Sequence, residues 1–251
     1  MSLGSSNGFP QAASILNLRG KTQTLRLYGS QGLPIILSSG DLGWAGLVTQ
    51  VAEALSAKGY HVFGFDSRLY LSSFTSKNSA LSPQDVQHDF KSLVEFVQRQ
   101  SGFKPVLAGV SEGAALSVLA ATDAGVKQAI MGVLALGLTN QNELGWRWRD
   151  CTIWLTKKVP NEPTFAVEDI IAQVSPIPLA EIHSTHDEFL SLEKAKDLLD
   201  HAREPKKMWS IESVNHRFSQ NRAELNRIML EALEWIQKSG NDSKSSTARA
   251  V

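Results

Sequence analysis

Cysteine is all but missing from this chain: Cys151 stands alone among 251 residues. A single thiol excludes an internal disulfide and any cysteine-based metal cluster, and it fits a reducing or an oxidising compartment equally. It is also badly placed as a nucleophile, in a polar, Trp-rich stretch with no sharp turn to expose it. Excess charge is missing too, since Lys+Arg 25 balances Asp+Glu 25. Nothing therefore points to a polyanionic partner such as nucleic acid. No apolar run reaches the roughly 20 residues that span a bilayer. The longest, Ala129 to Leu138, suits a buried strand. The opening, Met1 to Gly8, has neither the charged nor the apolar region of a signal peptide. It reads as a flexible end over residues 1–13, native or left where a leader has been removed. There is no internal repeat.

What is present is an ordinary globular composition, 42% apolar and 20% charged. The length allows one large domain or two small ones. Ser14 to Arg19 and Thr22 to Tyr28 alternate apolar and polar residues around Gly20-Lys21, as an antiparallel hairpin with one wet face does. Buried strands are predicted at Leu33 to Ser38, His61 to Phe65, Val106 to Val110, within Val126 to Leu138, at Pro178 to His183 and at Lys207 to Ile211. Helical spacing falls between them. Leu47, Val48, Val51 and Leu55 form one stripe, and Val86, Phe90, Leu93, Val94 and Val97 a second. A third covers about Ser191 to Ala202, and Leu225, Ile228, Met229, Leu233 and Ile236 make the last. The polar segment from Asp66 to Ala80 reads as a loop. Residues 139–170 lack periodicity and read as an excursion or small cap over the sheet edge or the active site. From Ser239 the composition suggests a disordered tail. Strands alternating with amphipathic helices indicate an α/β domain over residues 14–238, with a mostly parallel sheet covered on both faces. Its functional residues belong at the carboxyl ends of the strands.

One such end carries Gly109-x-Ser111-x-Gly113, between the apolar Val106 to Ala108 and the helix-forming Ala114 to Ala120. This is the spacing of a nucleophile elbow, where the serine hydroxyl projects from the top of the sheet and glycines relieve crowding on both sides. A serine hydroxyl needs a base, and the base needs an orienting acid. Asp187, after the strand ending at His183, and His216, after the strand ending at Ile211, supply them in the order Ser, Asp, His. Glu188 is an alternative acid. The other histidines serve less well: His61 begins a strand, His88 and His201 lie on helices, and His183 and His186 flank Asp187. No histidine–carboxylate set has convincing metal spacing, and no cofactor is required. The oxyanion of an acyl-transfer intermediate needs donors in place. The backbone N–H groups of Glu112 and of Asp41, with Leu42 as the alternative to Asp41, are the candidates. Arg68 is placed to meet an anionic group, or it is merely solvated. Trp146, Trp148 and Trp154 line an acyl pocket, touch a lipid surface, or pack the excursion.

These residues resemble the α/β-hydrolase superfamily. That resemblance implies a mostly parallel eight-stranded sheet with helices on both faces and an antiparallel N-terminal edge hairpin. Leu37 to Trp44 (Leu-Ser-Ser-Gly-Asp-Leu-Gly-Trp), Gly64 to Tyr70, Gly109 to Gly113 and Val214 to Phe218 are more narrowly similar to the bacterial virulence protein VirJ and AcvB domain. The resemblance implies a serine hydrolase, periplasmic if a leader was removed and otherwise cytoplasmic, acting on a small-molecule or lipid ester. Aminoacylated phosphatidylglycerol is the substrate taken for some members. Leu42 replaces a glycine of that group, Glu112 an aromatic residue, and Ser213-Val214-Asn215 the glycines before its histidine. The expectation is an ester hydrolase with Ser111, Asp187 and His216 as its triad and room for peripheral membrane contact. The rivals are a non-catalytic binding or secretion-associated adaptor on the same fold, and an acyltransferase using the same three residues.

Overall fold

A computed structural model describes residues 12–147 and 162–248, with side chains to residue 240. Its organising element is an eight-stranded sheet. β1 (Ala12–Leu18) and β2 (Lys21–Tyr28) pair antiparallel as the hairpin, with Ala12 opposite Leu27 and Leu18 opposite Lys21. β2 lies antiparallel to β4 (His61–Phe65). Every pairing beyond is parallel: β4 with β3 (Pro34–Ser38), then β5 (Val106–Val110), β6 (Gly132–Leu136), β9 (Leu179–Ser184) and β10 (Lys206–Ile211). β3, β5, β6 and β9 are buried along their whole length, which is why β3, β5 and β6 read as apolar runs rather than alternations; β9 is the exception, carrying Glu181 and His183.

The helices cover both faces. α1 (Leu47–Ala57) packs with the last helix, α7 (Arg222–Ala248), on one face, through Val51, Leu55, Ile228, Leu233 and Ile236. α3 (Pro83–Ser101) and α4 (Glu112–Ala120) pack on the other with α6 (Leu192–Asp200). Each fully buried Leu, Val or Phe contributes about 1.5–3 kcal/mol. α4 is buried from Gly113 to Ala120, so it shows no polar stripe. Ser82 caps α3 with a reciprocal Asp85 bond, and Pro83 opens it. A short helix, α5 (Ala124–Ala129), capped by Asp123, precedes β6.

Two stretches depart from the sequence reading. The expected loop after β4 is a helix, α2 (Ser67–Phe74). Its Ser-rich sequence has little helical bias, but the Asp66 side chain accepts from Leu69 N–H as its cap, and Tyr70 and Leu71 anchor it in the core. α7 also runs past Lys238 to Ala248, into the segment read as a tail. No proline interrupts it, but Gly240, Asn241 and Asp242 disfavour a helix there, so local propensity does not account for the extension.

The excursion is pinned at its base by an antiparallel ribbon of β7 (Gln141–Glu143) and β8 (Thr164–Ala166). Trp146 N–H donates to Thr75 Oγ1 (3.0 Å) and Leu81 N–H to the Leu144 carbonyl (3.0 Å), which ties the ribbon to α2 and the start of α3. Trp148, Cys151 and Trp154 lie outside the described residues.

Candidate active site

Ser111 sits between β5 and α4 at φ 54° and ψ −122°, in a region that residues with a Cβ rarely occupy. Close backbone approach enforces this turn. A Cβ on Gly109 would collide with the backbone of Gly113 and Ala114, and one on Gly113 with the carbonyls of Ser38 and Ser39. The two glycines of the motif are therefore steric requirements. Ser111 N–H donates to the Leu136 carbonyl at 2.9 Å, which fixes the elbow to the end of β6.

Asp187 and His216 come together from loops that follow β9 and β10. His216 Nδ1 and Asp187 Oδ2 are 2.5 Å apart, and both side chains are buried. The other carboxylate oxygen, Oδ1, accepts from Phe189 N–H (2.9 Å) and Leu190 N–H (3.1 Å). Burial works to raise the Asp187 pKa, but the His216 bond and charge with the two backbone donors outweigh it, and the carboxyl is held below its ordinary value. Glu188, the alternative acid, acts on the backbone instead. Its Oε2 accepts from His216 N–H at 2.7 Å and holds the loop rather than the ring.

Sequence reasoning missed Gly137, which lies at the end of β6 with φ 62°. A Cβ there would stand 2.6 Å from His216 Cε1 and 3.0 Å from Nδ1. Ser111, bonded to Leu136, and His216, stacked on Gly137, therefore flank the same strand end. A glycine directly after a buried strand was the available signal. His216 Nε2 is buried and has no hydrogen-bond partner among the described residues.

The turn after β3 lies on the opposite side of the serine. A Cβ on Gly40 would be 3.3 Å from Ser111 Cβ. Gly43 N–H bonds back to the Gly40 carbonyl (2.9 Å), which leaves Asp41 and Leu42 at the tip. Asp41 N–H donates to no acceptor among the described residues. Glu112 opens α4, and first-turn amides have no partner within their own helix. Residues after β4 brace the turn. Asp66 Oδ2 accepts from Trp44 N–H (3.2 Å), Ser39 Oγ accepts from Ser67 N–H (3.0 Å), and Arg68 packs over Gly43. The resemblance motifs Leu37 to Trp44 and Gly64 to Tyr70 thus form one unit.

Arg68 also stacks over Trp146, 5.4 Å from the ring centroid, and has no acidic partner among the described residues. Arg68, Ser72, Lys77, Trp146 and Arg147 line a cavity of about 470 Å³ between α2 and the excursion. The described residues include six exposed large apolar side chains, and four of them lie at this carboxyl edge: Leu42, Phe189 and Val214 on loops and Leu69 on α2. Phe189 meets the His216 ring edge-on at 5.0 Å. No group of three potential metal ligands gathers among the described residues, and no described helix is long and apolar enough to cross a membrane.

Strand order, elbow and strand-end loops together define an α/β-hydrolase fold. The esterase domain of a Rhodothermus marinus protein is similar at 19% identity and TM-score 0.60, over 87% of this chain and 95% of that one. Est1E from Butyrivibrio proteoclasticus is similar at 15% and 0.64, over 88% and 99%. XC6422 from Xanthomonas campestris, described as an a/b serine hydrolase without lid, is similar at 18% and 0.59, over 90% and 95%. At these identities the likeness is one of fold. Residues 33–237 match the family described as Bacterial virulence protein (VirJ), and the chain belongs to that family. No curated protein sequence matches it.

Proposed function

We propose that the protein is a serine ester hydrolase working through an acyl-enzyme. The observation that carries this reading is the state of His216: Nδ1 is engaged by a buried carboxylate, while Nε2, beside the strand end that holds Ser111, has no partner among the described residues. An imidazole so arranged is oriented at one nitrogen and free to accept a proton at the other. Catalytic hydrogen bonds are often long before substrate binds, so a bond from Ser111 Oγ to Nε2 is expected to form with substrate.

In the first half-reaction Ser111 Oγ attacks the ester carbonyl carbon while His216 Nε2 takes its proton. The carbonyl oxygen becomes an oxyanion facing the Glu112 and Asp41 N–H groups. Loss of one such donor typically costs about 100- to 1,000-fold in rate. Collapse breaks the bond to the alcohol oxygen, which leaves with the proton from Nε2. Water then attacks the acyl-enzyme, giving one proton to His216, which passes it to Ser111 Oγ as the acyl–oxygen bond breaks; the carboxylic acid released loses its proton to solvent. Asp187 stays ionised throughout and stabilises the imidazolium.

The apolar rim of Leu42, Leu69, Phe189 and Val214 suits an ester with an apolar portion. Arg68, stacked on Trp146, is assigned to the polar or charged remainder. Family membership makes an aminoacyl phospholipid the first ester to try. The test is hydrolysis of short- and long-chain acyl esters beside aminoacyl lipids, with Ser111→Ala as control. Turnover that disappears in Ser111→Ala supports the reading. Turnover that survives the substitution, or a parent protein inert to the whole set, contradicts it.

A further inference from the structure

Behind the Asp187–His216 pair lies a second acid–imidazole pair that the ester mechanism does not use. Glu181 and His183 stand two apart on β9, so they share one face of the strand. Both are fully buried. His183 Nε2 lies 2.8 Å from the Leu190 carbonyl oxygen. A carbonyl can only accept, so Nε2 carries a hydrogen. His183 Nδ1 lies 3.2 Å from Glu181 Oε1, which makes that contact the seat of one shared proton, held as carboxyl O–H or as imidazolium N–H. Nε2 also stands 3.6 Å from Asp187 Oδ2, the same oxygen that engages His216 Nδ1 at 2.5 Å. One carboxylate oxygen is therefore flanked by two imidazoles, His216 at the site and His183 in the core.

Outside the pair, the Asp187 charge acts on both groups. Across the sheet Glu181 faces Ala135 and Met208, and His183 faces Ser210. α6 turns Ala195, Leu198 and Leu199 inward. In the adjoining loops Asp187, Glu188, His186 and His216 are the ionisable groups. The Glu188 carboxylate bonds His216 N–H, and His186 Nδ1 lies 2.9 Å from the Ser213 carbonyl. Burial pushes the Glu181 carboxyl up. Burial opposes the His183 shift, but the bond to Glu181 and its charge push that imidazole up as well. A buried acid with such company costs stability unless it is satisfied, yet Glu181 Oε2 has no partner among the described residues. A packing role alone would be met by an apolar pair at lower cost.

We propose that Glu181 and His183 are positioning residues for the Asp187–His216 pair. The shared proton keeps a hydrogen on His183 Nε2, and that N–H directs positive potential at Asp187 Oδ2. It thereby limits how strongly Asp187 holds a proton on His216. This role rests on the hydrolase reading, and it adds a control on the base from the core side.

The test compares three variants with the parent. His183→Leu removes the N–H, His183→Gln keeps a donor near the position of Nε2, and Glu181→Gln removes the proton-sharing carboxyl. With rates normalised to sites labelled by a fluorophosphonate, His183→Leu is expected to lose about tenfold in kcat at pH values below the acidic limb, with KM little changed. Its acidic limb should move up by about one pH unit, because His216 then keeps its proton more firmly. His183→Gln should restore both values towards the parent. Glu181→Gln should move the limb the same way by a smaller amount. The proton resonance of His216 Nδ1–H in histidine-labelled protein reads the same coupling without turnover, so it decides the matter even if the ester reading fails. It should shift in His183→Leu and stay near the parent position in His183→Gln. A folded His183→Leu with kcat, acidic limb and resonance all like the parent overturns the proposal. If that variant does not fold, parent-like values in Glu181→Gln overturn it.

Discussion

Two buried carboxylates, Asp89 and Asp187, stand towards opposite edges of the sheet and show what partners do to a charge. Asp89, on α3, is gripped by Arg19 from the β1–β2 turn: Nε reaches Oδ1 at 2.8 Å and the second fork arm reaches Oδ2 at 2.7 Å. Tyr70 O–H donates to Oδ2 at 2.8 Å. Another Arg19 nitrogen reaches Asp85, and its guanidinium covers the Phe74 ring. Burial and the Asp89 charge and bond together drive the Tyr70 phenol well above its ordinary value, and Arg19 remains protonated. No proton can move in such a set, so it serves as a clamp joining hairpin, α2 and α3. Asp187 instead has two backbone donors and two imidazoles, groups that gain and lose protons. Two buried carboxylates thus make a fastener in one place and, in the proposed mechanism, an acid–base pair in the other.

The comparison is broken most sharply at Asp187. Asp187→Asn should lower kcat for an ester by about 10⁴-fold with the fold intact, because an amide there stabilises the wrong imidazole tautomer. Steady-state rates beside circular dichroism check this. At the other carboxylate the effect should fall on stability. Arg19→Met leaves Asp89 uncompensated and should cost about 3–5 kcal/mol in urea unfolding, with the rate per labelled site close to the parent's. Acid separates the two regions more gently. The Asp187 carboxyl is depressed in the folded state, so its contribution is present above the unfolded value of about 3.9 and is lost as pH falls through the lower folded one. Unfolding midpoints between pH 5 and 2 should therefore decline less steeply in Asp187→Asn than in the parent.

The sheet was legible because its strands and helices obey simple periods, and the inward residues of α1, α3 and α7 are those their spacing selects. Strand ends narrowed the search to Ser111, Asp187 and His216, of which Asp187 and His216 are in contact. α2 escaped because its cap and anchors, Asp66, Tyr70 and Leu71, act through tertiary contacts that local propensity does not carry. Glu181 and His183 escaped for another reason. In a strand covered on both faces, two polar residues resemble an ordinary alternation, and only the pairing partners reveal that water is excluded from them. The same holds for Arg19 and Asp89, which are 70 residues apart and linked only through the folded edge.

The most direct measurement is the intact mass of the protein after reaction with a fluorophosphonate, in the parent and in Ser111→Ala. One adduct per chain on the parent, mapped to Ser111 and absent from the variant, is the expected result. An unmodified parent, or equal labelling of both proteins, contradicts an activated serine at this elbow.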